Sequence, residues 1–391
     1  MFHVDLTPFG VDMDRLKNDR LARLQAAMAS HGLGALLLTD PLNIRYATNS
    51  VLWLNMRATG IQRFAIVPAK GTPHIYERPF GRSRAEGTEK PGIHALNSFM
   101  FEMRPPVATE HFSAQVLEGL SDLGVAGEPL GVDSLNLGAV ESLRKREINV
   151  VDGLPSVLQA RRVKTVDEIQ LIRWTTQTKF GGYDMVRAAL NEGPVAEERL
   201  NMLMLNYLLD RGFEAGSEFI VIYDSSHEAE RPHQEPMGTD LVVTEGDLVI
   251  VDATVAGPGG YYSDFARTYS LGNKPSDGHR ARYAEAYATL QAALPLVKPG
   301  PCTEIFDRFG RHATARLPGL DGFHGVGMSV YETPWLRGWD PLEYEVTLEE
   351  DMILSLEINH YPVKLEHIVR VTASGPEILS TYPIEPELVS A

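Results

Sequence analysis

Cysteine is almost absent. The 391 residues contain one, Cys302, so no intrachain disulfide can form and a reducing, cytoplasmic setting is the expectation. Basic residues are scarce beside acidic ones, 36 Lys and Arg against 52 Asp and Glu, a net charge of −16. With no basic stretch to displace phosphate counterions, the composition argues against a nucleic-acid partner. Long apolar runs are missing as well. None reaches the roughly 18 residues that a membrane span needs, and the N-terminus lacks the charged-then-apolar pattern of a signal peptide. Internal repeats and low-complexity tracts are also lacking. What is there reads as an ordinary globular chain, 43% hydrophobic and 23% charged. Its length exceeds one typical core, so two domains are expected.

The first half alternates helix and strand signals. Asp14 to His31 carries apolar residues at helical spacing, with Gly32 as the stop. Strands are predicted at Ala35–Leu38 and Arg63–Val67, and the pattern continues to Val150 as an α/β domain over residues 1–160. A capping box, Thr165 with Glu168, then starts a long helix predicted to run towards Leu190. Residues 161–391 are read as an α+β catalytic domain. Its helices are predicted near 197–211, 278–294 and 303–316, and its strands near 218–223, 247–256, 261–271, 352–359 and 364–372.

Two predicted hairpins bring acids together. The first turns at Gly257-Pro258-Gly259-Gly260; centred on Pro258, it sets Asp252 opposite Asp264. The second turns at His360-Tyr361-Pro362-Val363 and pairs Glu357 with Glu366, and its aromatic-proline step suits a cis peptide bond. Facing carboxylates repel unless one is protonated or a cation lies between them. Hard divalent ions take such oxygen ligands. Solvated acids on an exposed hairpin are the plain alternative for the first pair, and a structural salt bridge for one member of the second. His324 sits in Phe323-His324-Gly325-Val326-Gly327, where glycines permit close backbone approach, and His233 in a loop at Arg231–Pro236. Alone, His324 reads more readily as structural, and His233 reads equally as a surface-loop histidine or as part of an active-site rim.

In chain order, Asp252, Asp264, His324, Glu357 and Glu366 resemble the five metal ligands of the pita-bread metallopeptidases, a group with prolidase, aminopeptidase P, methionine aminopeptidase and the related creatinase. Tyr262-Ser263-Asp264-Phe265-Ala266-Arg267-Thr268, Pro232-His233 and Asp40-Pro41-Leu42-Asn43-Ile44-Arg45-Tyr46 extend the resemblance over nearly the whole chain. The resemblance implies a C-terminal pita-bread fold behind a smaller creatinase-type N-terminal α/β domain. It also implies two divalent ions (Mn, Fe, Co or Zn), with Asp252 and Asp264 on one, Asp264, His324 and Glu357 on the other, and Glu366 bridging. A metal-bound hydroxide would be the nucleophile, Glu357 would manage its proton and His233 would steady the oxyanion. A homodimer is implied too, with Trp53 as a substrate contact beside Tyr262 and Lys364.

Departures from the group are equally visible. Tyr331 stands where its peptidases carry a second histidine, Thr254 where a glycine is usual, and Lys364 where an arginine commonly precedes the last glutamate. The longer first hairpin and the lost histidine resemble the dimethylsulfoniopropionate lyases of this fold, and Tyr331 would then be the acid–base residue; a simple wall residue is the alternative. Trp335 and Trp339 read as loop anchors, with an onium-binding role as the alternative. Three functional readings follow. The first is hydrolysis of a small polar amide, dipeptide-like, by a metal-bound hydroxide. The second is β-elimination from an onium carboxylate, and the third is a non-catalytic binding protein that keeps the fold.

Overall fold

The computed structural model describes residue 4 and residues 6–51, 63–77, 93–95, 105–214, 219–226, 241–302, 322–337 and 346–389. The chain forms two compact units, Asp12–Arg161 and Arg162–Ala391, and Met1–Val11 groups with the second.

In the first unit Asp12 caps helix α1 (Met13–Ser30), its carboxylate accepting from the N–H groups of Asp14 and Arg15. The buried stripe Leu16, Leu24, Ala27 and Met28 explains the helical period seen in the sequence. Strand β1 (Ala35–Leu38) is buried throughout. Helix α2 (Pro41–Thr48), not foreseen from the sequence, starts by the same chemistry: Asp40 caps it and Pro41 fills its first position. Strands β2 (Phe64–Pro68), β3 (His74–Glu77), β4 (Ile93–Ala95), β5 (Leu130–Val132) and β6 (Val150–Asp152) complete a mixed sheet in the order β4-β3-β2-β1-β5-β6. Helices α3 (Pro105–Asp122) and α4 (Leu137–Lys145) contribute Phe112, Val116 and Leu143 to a core with Leu37, Phe64 and Ile66. Helix α5 (Leu154–Arg162) follows, and Tyr46 donates to the Ala160 carbonyl at 2.8 Å.

The second unit opens with the predicted capping box, Thr165 with Glu168. The single long helix expected there is two helices, α6 (Val166–Thr178) and α7 (Phe180–Glu192). The Lys179 carbonyl accepts from both Gly182 and Tyr183, which tightens the chain at the junction. Beyond it, Gly181 and Gly182 lie so close to Tyr207 and Met204 that a Cβ would come within 2.3 and 2.5 Å of them. Tyr207 and Met204 belong to α8 (Glu197–Asp210). Tertiary packing, invisible in the helical period, sets the break.

The remaining strands build two sheets. Strand β7 (Val195–Ala196) pairs with β9 (Val242–Val243) away from them. Strand β8 (Phe219–Asp224) pairs with β10 (Leu248–Ala256), which turns into β11 (Tyr262–Ser263) and β12 (Ala266–Ser270). Helix α9 (Asp277–Ala293) covers the second sheet. After the short ladder of β13 (Gly300–Pro301) with β16 (Thr347–Leu348), that sheet runs β15-β14-β17-β18-β19. Its strands are β14 (Gly322–Gly325), β15 (Glu332–Arg337), β17 (Ile353–His360), β18 (Val363–Thr372) and β19 (Gly375–Ile378). Leu290, Phe323, Leu354, Leu356 and Val369 form the core between α9 and the sheet. The helix expected at 303–316 lies outside the described residues.

The second hairpin has the predicted register, with Glu357 opposite Glu366 and a cis Tyr361–Pro362 bond. The first does not. Val255 pairs with Ser263 and Asp252 with Ala266, so Asp264 stands across from Thr254, not Asp252. The hairpin is centred on Gly259, one residue beyond Pro258, which shifts every cross-strand partner by two: Gly259 and Gly260 both take positive φ (75° and 79°), and Gly257 N–H donates to the Tyr261 carbonyl. Because side chains alternate with period two, Asp252 and Thr254 still share one face. The predicted 261–271 strand is also interrupted at Asp264–Phe265. There the ammonium of fully buried Lys179 donates to the carbonyls of Ala253 and Ser263.

Those two bonds predict a stability effect. Lys179→Met strands two buried carbonyls and should destabilise the protein by roughly 2–6 kcal/mol, at about 1–3 kcal/mol per unsatisfied group. Urea unfolding measures it, and a change within error would remove Lys179 from this role.

Candidate metal centre

Strands β10, β14, β17 and β18 and the break between β11 and β12 deliver five side chains to one buried cluster. Asp264, His324 and Glu357 present ligand atoms all within 4.8 Å of one another, and so do Asp252, Asp264 and Glu366. Asp264 belongs to both groups. The five residues read from the sequence are therefore brought together, despite the shifted first hairpin.

Contacts between the sheets fix the cluster. Ser355 Oγ donates to the Asp264 carbonyl at 3.0 Å, and Arg267 Nη1 to the Glu366 carbonyl at 2.6 Å. Tyr262 N–H donates to Gly327 O at 2.7 Å. Thr254 donates to Asp264 Oδ1 at 2.5 Å, with Asp252 Oδ1 3.5 Å away. His324 Nδ1 lies 3.1 Å from the Gly325 carbonyl, while Nε2 faces Glu357 Oε1 at 2.8 Å and Asp264 Oδ2 at 3.4 Å. A proton on Nδ1 leaves Nε2 as the ligand nitrogen.

Cations of the chain engage the same acids. Arg337 grips Glu357 in bidentate fashion, Nη1 to Oε2 at 2.7 Å and Nη2 to Oε1 at 2.8 Å. Sequence reasoning missed Arg337, because the strand that aims it, β15, carries no clear alternation. Lys164 and Glu332 were missed too; they form a buried ion pair at 2.9 Å beside Tyr331. Lys364, expected to contact substrate, instead places its ammonium 2.5 Å from Asp252 Oδ2 and 2.6 Å from Glu366 Oε1. Its position two residues before Glu366 on one strand puts both on the same face.

These contacts set the proton affinities. Burial pushes Asp252 up to about 6, against the Lys364 ammonium and with the Asp264 charge. Burial also holds Glu366 well above the ordinary carboxylate range, Lys364 opposing and Asp252 and Glu357 adding to it. Burial works against ionised Asp264, but the hydrogen bond and charge of His324 outweigh it and keep the acid low. Glu357 is held well below its usual range against burial, first by Arg337 and then by Lys364. His324 is raised to about 9: burial lowers it, and bonding to Asp264 and Glu357 more than reverses this.

The remaining sequence-predicted residues scatter. Tyr331 is 52% exposed and sets its ring edge-on to His324, 4.8 Å between centroids. Burial, then the charges of Asp264 and Glu357, push its phenol up to about 12, so it is a neutral hydrogen-bond donor at pH 7. Trp335 packs on His324 at 5.6 Å and lies beneath the Arg337 guanidinium. Tyr262 is half-buried. His233, Trp53 and Trp339 lie outside the described residues.

The donor set suits a divalent cation. Neither oxygen of the fully buried Glu366 accepts a hydrogen bond from the described residues, although Lys364 stands beside one of them. Buried carboxylate oxygens without donors are costly unless a proton or cation meets them.

Known proteins resemble this chain. Residues 181–373 match metallopeptidase family M24, and residues 20–163 match the creatinase/prolidase N-terminal domain. The chain belongs to the creatinase–prolidase superfamily of pita-bread metallopeptidases. It is 25% identical to the dimethylsulfoniopropionate lyase DddP of Roseovarius nubinhibens over 97% of this chain and 88% of that one. It is 30% identical to the probable dipeptidase PepE of Mycobacterium tuberculosis over 43% of this chain and 45% of that one. The dipeptidase PepE structure from Mycobacterium ulcerans superposes with a TM-score of 0.73 at 21% identity, covering 96% of this chain and 98% of that one. The Xaa-Pro dipeptidase structure from Bacillus anthracis gives 0.72 at 19%, covering 94% and 99%. Both share the fold, a pita-bread unit behind a creatinase-type N-terminal unit. Among the described residues, no helix is long and apolar enough to cross a membrane.

His324 also predicts a pH effect in metal-free protein. A group whose proton affinity rises on folding stabilises the folded state below its ordinary value and stops doing so as pH climbs to the folded one. Stability should therefore fall as pH rises from 6.5 to about 9. Urea unfolding at stepped pH tests this, with His324→Gln as control; an equal slope in both proteins rejects His324 as the cause.

Proposed function

We propose that this protein is a metal-dependent hydrolase of a small polar amide, dipeptide-like, acting in the cytoplasm as a homodimer. One observation carries the proposal: five buried donors form two ligand groups that share Asp264. Membership of a metallopeptidase family supports the same chemistry. A divalent ion (Mn, Fe, Co or Zn) in each group would supply Lewis acidity and a water acidified towards neutrality.

The chain's own residues would do the rest. The Gly325 carbonyl would keep the His324 proton on Nδ1. Arg337 would orient Glu357, the residue assigned to proton handling. Tyr331, at the exposed edge of His324, would donate a hydrogen bond to bound substrate or to the developing oxyanion. In the family resemblance His233 has the oxyanion role and Trp53 and Tyr262 line the substrate.

A second reading is β-elimination from an onium carboxylate. Identity to a dimethylsulfoniopropionate lyase over 97% of the chain, together with Tyr331 in the place of a peptidase histidine, favours it. As a neutral phenol Tyr331 suits a donor better than a base, which ranks hydrolysis first.

Incubation with Xaa-Pro dipeptides and with dimethylsulfoniopropionate, in the presence of manganese or iron, separates the two. Free amine is the expected product; dimethyl sulfide alone reverses the order, and neither product with either metal removes both substrates. Asp264→Ala should lose metal and activity together, whereas Tyr331→Phe should keep the metal and lose at least about tenfold in kcat, as for a lost transition-state hydrogen bond of roughly 1.4 kcal/mol. Undiminished turnover in Tyr331→Phe would remove its role.

A further inference from the structure

Tyr331 sits beside an irregular stretch of sheet. Strands β14 and β15 pair His324 with Trp335 and Gly325 with Glu332, so Thr333 and Pro334 lie outside the ladder. Tyr331 comes just before Glu332, the last paired residue of β15, and Glu332 anchors that end. Neighbouring residues of an extended chain point to opposite sides. Tyr331 accordingly stands at the rim, edge-on to Trp335 at 5.0 Å as well as to His324, while the Glu332 side chain is only 4% exposed.

The buried carboxylate is the hub of its loop. Glu332 Oε1 accepts from Ser329 N–H at 3.2 Å, which closes the chain around it. A Cβ on Gly327 would stand 2.5 Å from Glu332 Oε2, so the carboxylate lies directly against that glycine's backbone. Gly327 donates its own N–H to the Ser329 carbonyl at 3.0 Å. The counter-charge comes from far along the chain. Lys164 Nζ reaches Glu332 Oε2 at 2.9 Å, and its side chain is 1% exposed. Lys164 is held in turn: its N–H donates to the Asp351 carbonyl at 3.0 Å and its Nζ to the Arg162 carbonyl at 3.2 Å. Without that ammonium Glu332 becomes a buried, uncompensated charge and is driven towards water. A Glu332 that turns outward must turn Tyr331 with it.

We propose that Lys164 is a positioning residue for Tyr331, acting through Glu332. The ammonium keeps the carboxylate inside the 327–332 loop, and the loop keeps the phenol edge-on to His324. This rests on the reading that Tyr331 donates a hydrogen bond to bound substrate, and adds to it the residue that aims the donor.

Two measurements on the full-length protein test this. Hydrogen exchange of the metal-free protein, read over residues 325–332, needs no activity. Lys164→Met should speed exchange there at least about tenfold while the amides of α9 keep wild-type protection. Unchanged exchange at 325–332 overturns the proposal. Turnover of alanyl-proline with Mn²⁺ then shows what Lys164 acts through. Lys164→Met should lower kcat at least about tenfold at wild-type manganese content. In a Tyr331→Phe background the same substitution should cost less than about twofold, because no donor remains to be aimed. An equal loss in both backgrounds overturns the proposal and leaves the hydrolase reading standing. No turnover by the wild type counts against the hydrolase reading alone, and exchange at 325–332 then decides whether Lys164 holds Tyr331. Should Lys164→Met not fold, Glu332→Gln takes its place. It keeps an acceptor for Ser329 while discarding the charge, with the same expected pattern and the same overturning results.

Discussion

Four carboxylates converge inside this protein, and nothing else in the second unit can be understood apart from that. Asp252, Asp264, Glu357 and Glu366 are all nearly or fully buried, where uncompensated like charges are prohibitive. The chain answers with Arg337 on Glu357, Lys364 between Asp252 and Glu366, and an imidazole between Asp264 and Glu357.

Holding repelling groups together also requires a stiff frame. Each acid comes from a strand or a strand break, and the strands are tied across the two sheets by Arg267, Ser355 and the paired bonds of Thr268 with Lys364. Lys179 reaches in from the junction of two helices and pins the carbonyls beside both aspartates. A site supported this way keeps its geometry without any one ligand being free to swing out. The glycines around His324 serve the same end: a Cβ on Gly325 would stand 2.6 Å from the Thr333 carbonyl, so β14 and β15 could not close as they do.

At the rim of this centre Tyr331 sets its phenol ring edge-on to His324, and Trp335 packs its indole on the same imidazole. The buried donors set what kind of ion chemistry is available, while the rim sets which bond meets it. One fold thereby serves proteins named as dipeptidases and as a lyase.

The sequence by itself determined the local pieces. The capping box at Thr165, the apolar stripe and glycine stop of the first helix and the register of the 357–366 hairpin were legible, because each depends on neighbours a few residues away, whereas the five converging residues were read together only through the family resemblance. The tertiary structure decided the rest. Two glycines at positive φ moved the centre of the first hairpin by one residue and every cross-strand partner by two, so Asp264 faces Thr254 and stays on the same side as Asp252. Packing against Tyr207 and Met204 split a helix whose periodicity runs unbroken. Arg337, Lys164 and Lys179 gained their roles only through partners 20, 168 and 74 residues distant. Spacing along a chain encodes which side chains share a face, but not which distant cation will neutralise a buried acid, since charge acts through space.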